Sequence, residues 1–552
     1  MKDVLEIKQI RLETYKFEHH RHDAKAGENK LNTFSKIKDL GRIIERLGQR
    51  FLNCIIILLF GFIAIEAIAN RSTLISGSCI KYIIMVIVWI VLAVAFVFLM
   101  ERLNLRYKKA LLIAVLAMQL VYVWAVHSKV DSDAYVIAYI AYHFARGNLS
   151  VLEGFWREYM AVYTNNIPAT AFIVLLFKIW IPDTIDQVWL MLSMTATLLS
   201  DIAVFFIYRL IKTIVGQRVA YVALLLCGAL ITLSEPSTVL YSDIIALWTI
   251  PAALYAIVVG KEDRRWRWGM AGIVLAFGAW MKPQVKVVVI AAFVTIVLEW
   301  ISARHMEWHK TQKKQVVLLV GCFLGTTLCL TSITNISIDV IGKDYVRQNQ
   351  TSALHFIAMG LNPETNGAYS EDDVIAMKAA IGQEAKRELN VDKIATRLQD
   401  LGIDGLLHHI KDKVVYGAGN GTFTIGREWR GELLNESLQA KRIQNWTVIF
   451  ENGFENYTAV WIQCGYILTL LMCIHSAIRS VLNKNEIEDG DTYLIVNISK
   501  MTMLGTLLML VIFERNLRYM YASLPCMIYL AMYDLQKTLE SRAHRPTVTK
   551  AD

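Results

Sequence analysis

The sequence predicts an all-α polytopic membrane protein. Of its 552 residues 55% are hydrophobic and only 19% are charged, and the mean hydropathy is +0.40. A soluble chain of this length would not carry so many long apolar runs. At the scale of about 17–25 residues there are roughly thirteen candidate membrane segments, some of them marginal. They fall near 51–69, 80–100, 110–126, 169–181, 188–208, 219–234, 238–260, 269–281, 285–301, 316–335, 457–478, 493–513 and 518–536. The net charge of +9 gathers in short loops, where basic residues mark a cytoplasmic side rather than a nucleic-acid site. The eight cysteines sit almost entirely in apolar runs, so neither a disulfide framework nor a metal quartet is expected.

In chain order, residues 1–50 read as a charged cytoplasmic arm. It holds KIKDLGRIIERLGQR, a basic amphipathic helix suited to the inner leaflet. The arm is polar before the first apolar run, so no cleavable leader is expected. Its cluster His19, His20, Arg21 and His22 reads as a solvated basic face, with metal binding as the alternative. A transmembrane region over 51–335 follows, beginning with a hairpin closed by ERLNLRYKK. Its first external loop, 128–167, opens on Asp131 and Asp133. The run from Ala134 places Ala138, Ala141 and Ala145 on one helical face, with Tyr135, Tyr139 and Tyr142 close by. Too short and too polar to span, this run is expected to lie in the interface.

The loops RLIKTIVGQR (209–218), KEDRRWRW (261–268) and ARHMEWHKTQKK (303–314) read as cytoplasmic. That placement conflicts with two full crossings between Pro168 and Tyr208. Either the short 169–181 segment does not fully cross or the 209–218 loop breaks the trend.

Residues 336–455 are too long for a plain connector and are expected to form a large external helical lobe. Ser370 followed by Asp373 resembles a capping box, and a second helix is expected from about Asp404 through GLLHHIKDKVVYG. A Gly- and Asn-rich turn, GAGNGTFTIGREW, follows. C-terminal transmembrane helices over 456–536 and a cytoplasmic tail, 537–552, complete the chain.

Ionisable groups at the ends of membrane segments are costly and point to function. Here they are Asp131, Asp133, Glu235, Lys282, Glu514, Arg515 and Arg518, with Asp243 inside an apolar run. Gathered in one cavity, a carboxylate would accept a hydroxyl proton, and cations would stabilise charge developing on a phosphate. Each has a plainer role too: the aspartates as helix caps, the cations as snorkelling side chains, Glu514 in a structural ion pair, Asp243 as a buried hydrogen-bonded group.

The acidic start DSDAYVIAYIAYHFARGN, then YTNNIPATAF, MKPQ, HFIAMGLNPETNGAYSEDDV and ERNLRYMYASLP together resemble the GT-C class of membrane-embedded glycosyltransferases. The likeness is to the bacterial relatives of protein O-mannosyltransferases and lipid A aminoarabinose transferases, and it spans about residues 110–525. It implies a GT-C-like bundle of about 12–13 segments. It also implies transfer of a sugar, with inversion, from a polyprenyl-phosphate donor to a cell-envelope acceptor outside the cell membrane. By this resemblance Asp133 is the catalytic base and Asp131 the second choice. Lys282 and Arg518 grip the carrier phosphate, with Arg515 in reserve. Tyr163, Asn165 and Asn166 shape the pocket, which Glu235, Gln284, His355, Glu514 and Tyr519 complete. Many relatives carry proline where this chain has Thr164. Membrane lipids are expected partners and nucleic acid is not. A divalent metal could sit on a carboxylate pair, though nothing in the sequence demands one. The alternative is a transporter or flippase of a lipid-linked saccharide.

Overall fold

In hydrocarbon every backbone amide must find its partner inside the segment, so apolar runs have to become helices. The computed structural model describes residues 40–41, 43–69, 79–180, 182–302, 306–423, 430–447, 457–482 and 490–543. All thirteen apolar runs fall on helical segments there. The first are α1 (Ile43–Ile68), α2 (Cys79–Arg102) and α3 (Leu105–Val126). Then come α4 (Ser132–Ala145), α5 (Phe155–Val162), α6 (Ile167–Ile179), α7 (Ile185–Ile214) and α8 (Gln217–Cys227). The middle of the chain forms α9 (Ser242–Leu247), α10 (Thr249–Val259), α11 (Trp266–Met281), α12 (Val285–Ser302) and α13 (Met306–Ile341). The His19–His22 cluster and the end of the tail lie outside the described residues.

The span count is lower than the sequence suggests. Among the described residues eight helices are long and apolar enough to cross a membrane, or nine if α5 and α6 are one bent span. For α6 the reason is length. At about 1.5 Å per residue, the 13 residues of α6 reach only about 20 Å, short of a hydrocarbon core of about 30 Å. The helical pieces α5 and α6 also meet at 90°, which bears on the first of the two topological alternatives above.

Burial separates inner from outer helices. The joined α9–α10 stretch is buried over 78% of its most apolar window, whereas α13 is buried over 6% and presents its flanks outward. The α4 segment departs from expectation. It does not lie on a surface: Ala134, Val136, Ile137, Ala138, Ile140, Ala141 and Ala145 are all buried. Its alanines have no bulk beyond Cβ, which lets α6 pack closely against it. Hydrophobic periodicity alone did not separate an interfacial helix from an inside one.

The lobe comprises α14 (Lys343–Asn349), α15 (Ala353–Gly360), α16 (Glu371–Ala379), α17 (Gln383–Ala418) and α18 (Leu438–Thr447). Ser370 caps α16 by accepting from the Asp373 amide at 3.3 Å, as the spacing predicts. The α17 helix is two helices merged across a kink at Gly402, so the segment expected near Asp404 is its second half. One feature is not helical. The strands β1 (Ser128–Val130) and β2 (Arg430–Leu433) pair antiparallel, pinning the end of the lobe to the residues just before Asp131. The chain closes with α19 (Tyr457–Leu482), α20 (Gly490–Ile512) and α21 (Leu524–Ala543).

Two buried charges hold the lobe. The Lys413 ammonium, fully buried, donates to the carbonyls of Gly360, Val511 and Phe513 at 2.7–2.8 Å. It thereby clamps α15 and α17 to the end of α20, where helix carbonyls lack intrahelical donors. Asp373 pairs with Lys393 at 2.6 Å and with Arg397 at 2.8 Å. Burial alone would raise its carboxyl, but the hydrogen bonds and charges of Arg397 and Lys393 prevail and hold it at about 2 against an ordinary 3.8. A depressed carboxyl stabilises fully above its ordinary value and loses that contribution as pH falls through its folded value.

Melting temperature in detergent is therefore expected to drop between about pH 4 and pH 2, and Asp373→Asn to flatten that fall while lowering stability at neutral pH. Lys413→Met strips the Val511 and Phe513 carbonyls of their donor, leaving Gly360 only His409 Nε2, and is expected to destabilise by about 2 kcal/mol or more, read as a lower melting temperature and faster proteolysis in the lobe.

Candidate active site between α4, α9 and the end of α20

Asp133 stands in the first turn of α4. The residue before it, Ser132, has φ of +57°, a left-handed conformation rare outside glycine. That turn sends neighbouring carboxylates in different directions. Asp131 is exposed at the N-cap position and its side chain makes no capping bond. Asp133 turns inward instead. Its Oδ1 accepts from the Tyr159 hydroxyl at 2.5 Å, and the Tyr241 hydroxyl lies 3.2 Å from its Oδ2. Asn166, buried, joins both tyrosines: Nδ2 donates to Tyr159 at 2.7 Å, and Oδ1 accepts from Tyr241 at 2.8 Å.

A second cluster adjoins the first through Tyr241. Asp243 sits in the first turn of α9, where unpaired helix amides favour an anion. Lys282 caps the C-terminus of α11, and its Nζ lies 2.9 Å from both Asp243 oxygens. Arg518 Nη1 reaches Asp243 Oδ2 at 3.3 Å. Side-chain exposure is 5% for Asp243, 10% for Lys282 and 12% for Arg518, so these charges must be paired. The approach of α11 depends on Gly278, where a Cβ would collide with Thr249 Oγ1 at the start of α10. Arg518 is aimed by Asn516, which caps the 3-10 turn Leu517–Ser523 and accepts from both the backbone N–H and Nε of Arg518.

Two cations share one carboxylate, and the remaining positive charge faces Asp133, which acts electrostatically on both Lys282 and Arg518. The Tyr241 ring lies under both cations, 5.4 Å from Lys282 Nζ and 5.2 Å from the Arg518 guanidinium carbon. Tyr519 adds a second ring 5.8 Å from Lys282, an arrangement that favours cations. Burial lowers the Lys282 ammonium while Asp243 draws it back up.

The other expected site residues divide between this cluster and the lobe. Arg515 donates through Nε to the Asn366 carbonyl at 3.0 Å and through its backbone N–H to Gly367. Its guanidinium fastens a lobe loop. His355 is buried in the lobe near Asn390 and Asp373, and burial lowers it to about 4; it is a packed neutral imidazole, not part of this pocket. Tyr163 packs on Tyr159 with ring centres 5.1 Å apart. Glu514 acts on Tyr163 and Tyr519. Asn165 is exposed beside Asn166. Gln284 is buried beyond Lys282, and its Oε1 has no hydrogen-bond partner among the described residues. The Glu235 side chain lies outside the described residues. Among the described residues no three His, Cys, Asp or Glu side chains gather as metal ligands, and Asp131 and Asp133 do not converge.

Sequence reasoning did not place Asp243, Tyr159 or Tyr241 in the site. For Asp243 a signal existed: an acid inside an apolar run needs a cation of comparable depth, and Lys282 stands at the end of such a run. For the tyrosines there was none, since aromatic residues in apolar helices are ordinary core.

Fold and site define a multi-pass integral membrane protein with a buried acid, a Lys–Asp–Arg cluster and a tyrosine between them. The chain belongs to the family described as conserved hypothetical integral membrane protein, which matches residues 51–539. No curated protein sequence matches it. Among solved structures it is similar to ArnT from Cupriavidus metallidurans bound to undecaprenyl phosphate, at 13% identity and a TM-score of 0.34, over 80% of this chain and 79% of that one. The apo form of the same protein gives 11% identity and a TM-score of 0.33, over 78% of each chain.

Removing the shared anion should hurt more than removing one cation. Asp243→Ala leaves Lys282 and Arg518 buried together and is expected to destabilise by about 3–5 kcal/mol. Lys282→Met leaves the Arg518–Asp243 pair and is expected to lower stability less. Parallel chemical-denaturation curves in detergent check the order.

Proposed function

We propose that this protein is an inverting glycosyltransferase that moves a sugar from a polyprenyl-phosphate carrier to a cell-envelope acceptor, with its site on the extracytoplasmic side of the cell membrane. The observation that carries this reading is the bridge at Tyr241, whose hydroxyl contacts Asp133 while its ring lies under Lys282 and Arg518. A proton acceptor and two cations then share one tyrosine, at the ends of apolar helices where a lipid phosphate would sit.

In the proposed step an acceptor hydroxyl attacks the anomeric carbon as the bond from that carbon to the phosphate oxygen breaks. The hydroxyl proton passes to Asp133. The carrier departs as a phosphate monoester and gains one negative charge relative to the bound diester. Lys282 and the Arg518 fork oppose that added charge, and Asp243 keeps the two cations together before the carrier arrives.

The test uses purified protein, a labelled polyprenyl-phosphate sugar and release of free carrier phosphate as the readout. Asp133→Asn is expected to lower turnover at least about a hundredfold while the variant stays folded and binds the carrier. Lys282→Met is expected to weaken carrier use, raising KM as well as lowering kcat. Full turnover by Asp133→Asn would overturn the assignment, and movement of intact donor across the bilayer with no carrier released would point to the flippase alternative.

A further inference from the structure

The ring formed by Asp133, Tyr159, Asn166 and Tyr241 has fewer protons than acceptor sites, and its geometry decides where each one goes. An ionised carboxylate only accepts. The Tyr159 proton is therefore committed to Asp133 Oδ1 at 2.5 Å. With that proton spent, the Tyr159 oxygen can only accept from Asn166, so the amide must turn Nδ2 toward it, as observed at 2.7 Å. The same amide then presents Oδ1 to Tyr241, 2.8 Å away. Tyr241 has one proton and two acceptors, Asn166 Oδ1 at 2.8 Å and Asp133 Oδ2 at 3.2 Å. The nearer one takes it. Asn165 Nδ2 reaches the same Asn166 oxygen only at 3.5 Å, too far to displace it.

We infer that Asn166 is a positioning residue: by drawing the Tyr241 proton to its own Oδ1 it leaves Oδ2 of Asp133 as the oxygen that takes a proton from an incoming hydroxyl, while Tyr159 holds Oδ1. Asn166 is 2% exposed, so it acts behind the tyrosines and not as the pocket wall that the sequence suggests. The role of the incoming hydroxyl rests on the transferase reading; the proton order does not. The titratable and charged groups facing Asp133 are Tyr159, Tyr163, Tyr241, Lys282, Arg518 and Tyr519. Of these, Tyr159 donates to it and the Tyr241 hydroxyl lies 3.2 Å away, and both tyrosines also bond Asn166.

The test needs no turnover. A hydrophobic carbodiimide reacts with protonated carboxyls, and mass spectrometry follows labelling of the Asp133 peptide against pH in the full chain in detergent. Losing a hydrogen bond to a charged oxygen should move the midpoint upward by about one pH unit. Tyr159→Phe is expected to show that shift, whereas Asn166→Leu releases the Tyr241 proton to Asp133 Oδ2 and is expected to move the midpoint downward. Tyr241→Phe, removing a proton aimed elsewhere, is expected to move the midpoint by no more than a few tenths of a unit. Tyr159→Phe deletes one oxygen and little packing, so it carries the test if Asn166→Leu does not fold. An equal shift in Tyr241→Phe, or no shift in Tyr159→Phe, overturns the proposal. In the carrier-release assay Tyr159→Phe should move the acidic limb of kcat/KM upward and Asn166→Leu downward, both with little change in carrier KM. A wild type that releases no carrier would remove the transferase reading and leave the labelling result standing.

Discussion

A charge held away from water must have its opposite beside it, and in this protein that constraint joins parts of the chain far apart in sequence. Asp243, Lys282 and Arg518 lie on three different segments, yet none could sit at its present depth alone. Their mutual attraction sets where α11 ends, how closely α9 approaches it, and which way the turn after α20 faces. Gly278 and Asn516 are the local means by which those segments comply. The apolar bundle supplies most of the packing, but the ions fix its register at this end.

The arrangement also divides labour between two carboxylates with different surroundings. Asp243 is surrounded by cations and serves as their counter-ion. Asp133 is met by tyrosine hydroxyls, which approach an anion without neutralising it. The first suits a structural anion and the second a group that can take up a proton. Tyr241 belongs to both sets.

Much of this was legible in the sequence, for reasons particular residues make plain. Helices followed from hydropathy because lipid leaves the backbone no other way to satisfy its amides. The span count did not, because α6 and α11 are apolar enough to span but too short. Asp133, Lys282 and Arg518 stood out as ionisable groups at the ends of apolar runs. Arg515 looked the same as Arg518, and only the cap at Asn516 and the carbonyls of the lobe loop separate them. Asp133 ranked before Asp131 by resemblance alone, and the left-handed backbone at Ser132 sends the two different ways. Side-chain direction after a single unusual φ is invisible to spacing, and so is the tyrosine that happens to fall opposite an acid.

The stretch 513–518 holds three fastenings in succession. Lys413 grips the Phe513 carbonyl, the lobe loop grips Arg515, and Arg518 grips Asp243. So short a tether cannot slacken at one knot without tugging the next. Anything that lifts the lobe loop would also drag a guanidinium away from its counter-ion, making this strand a mechanical lever between the lobe and the charges deep in the bundle.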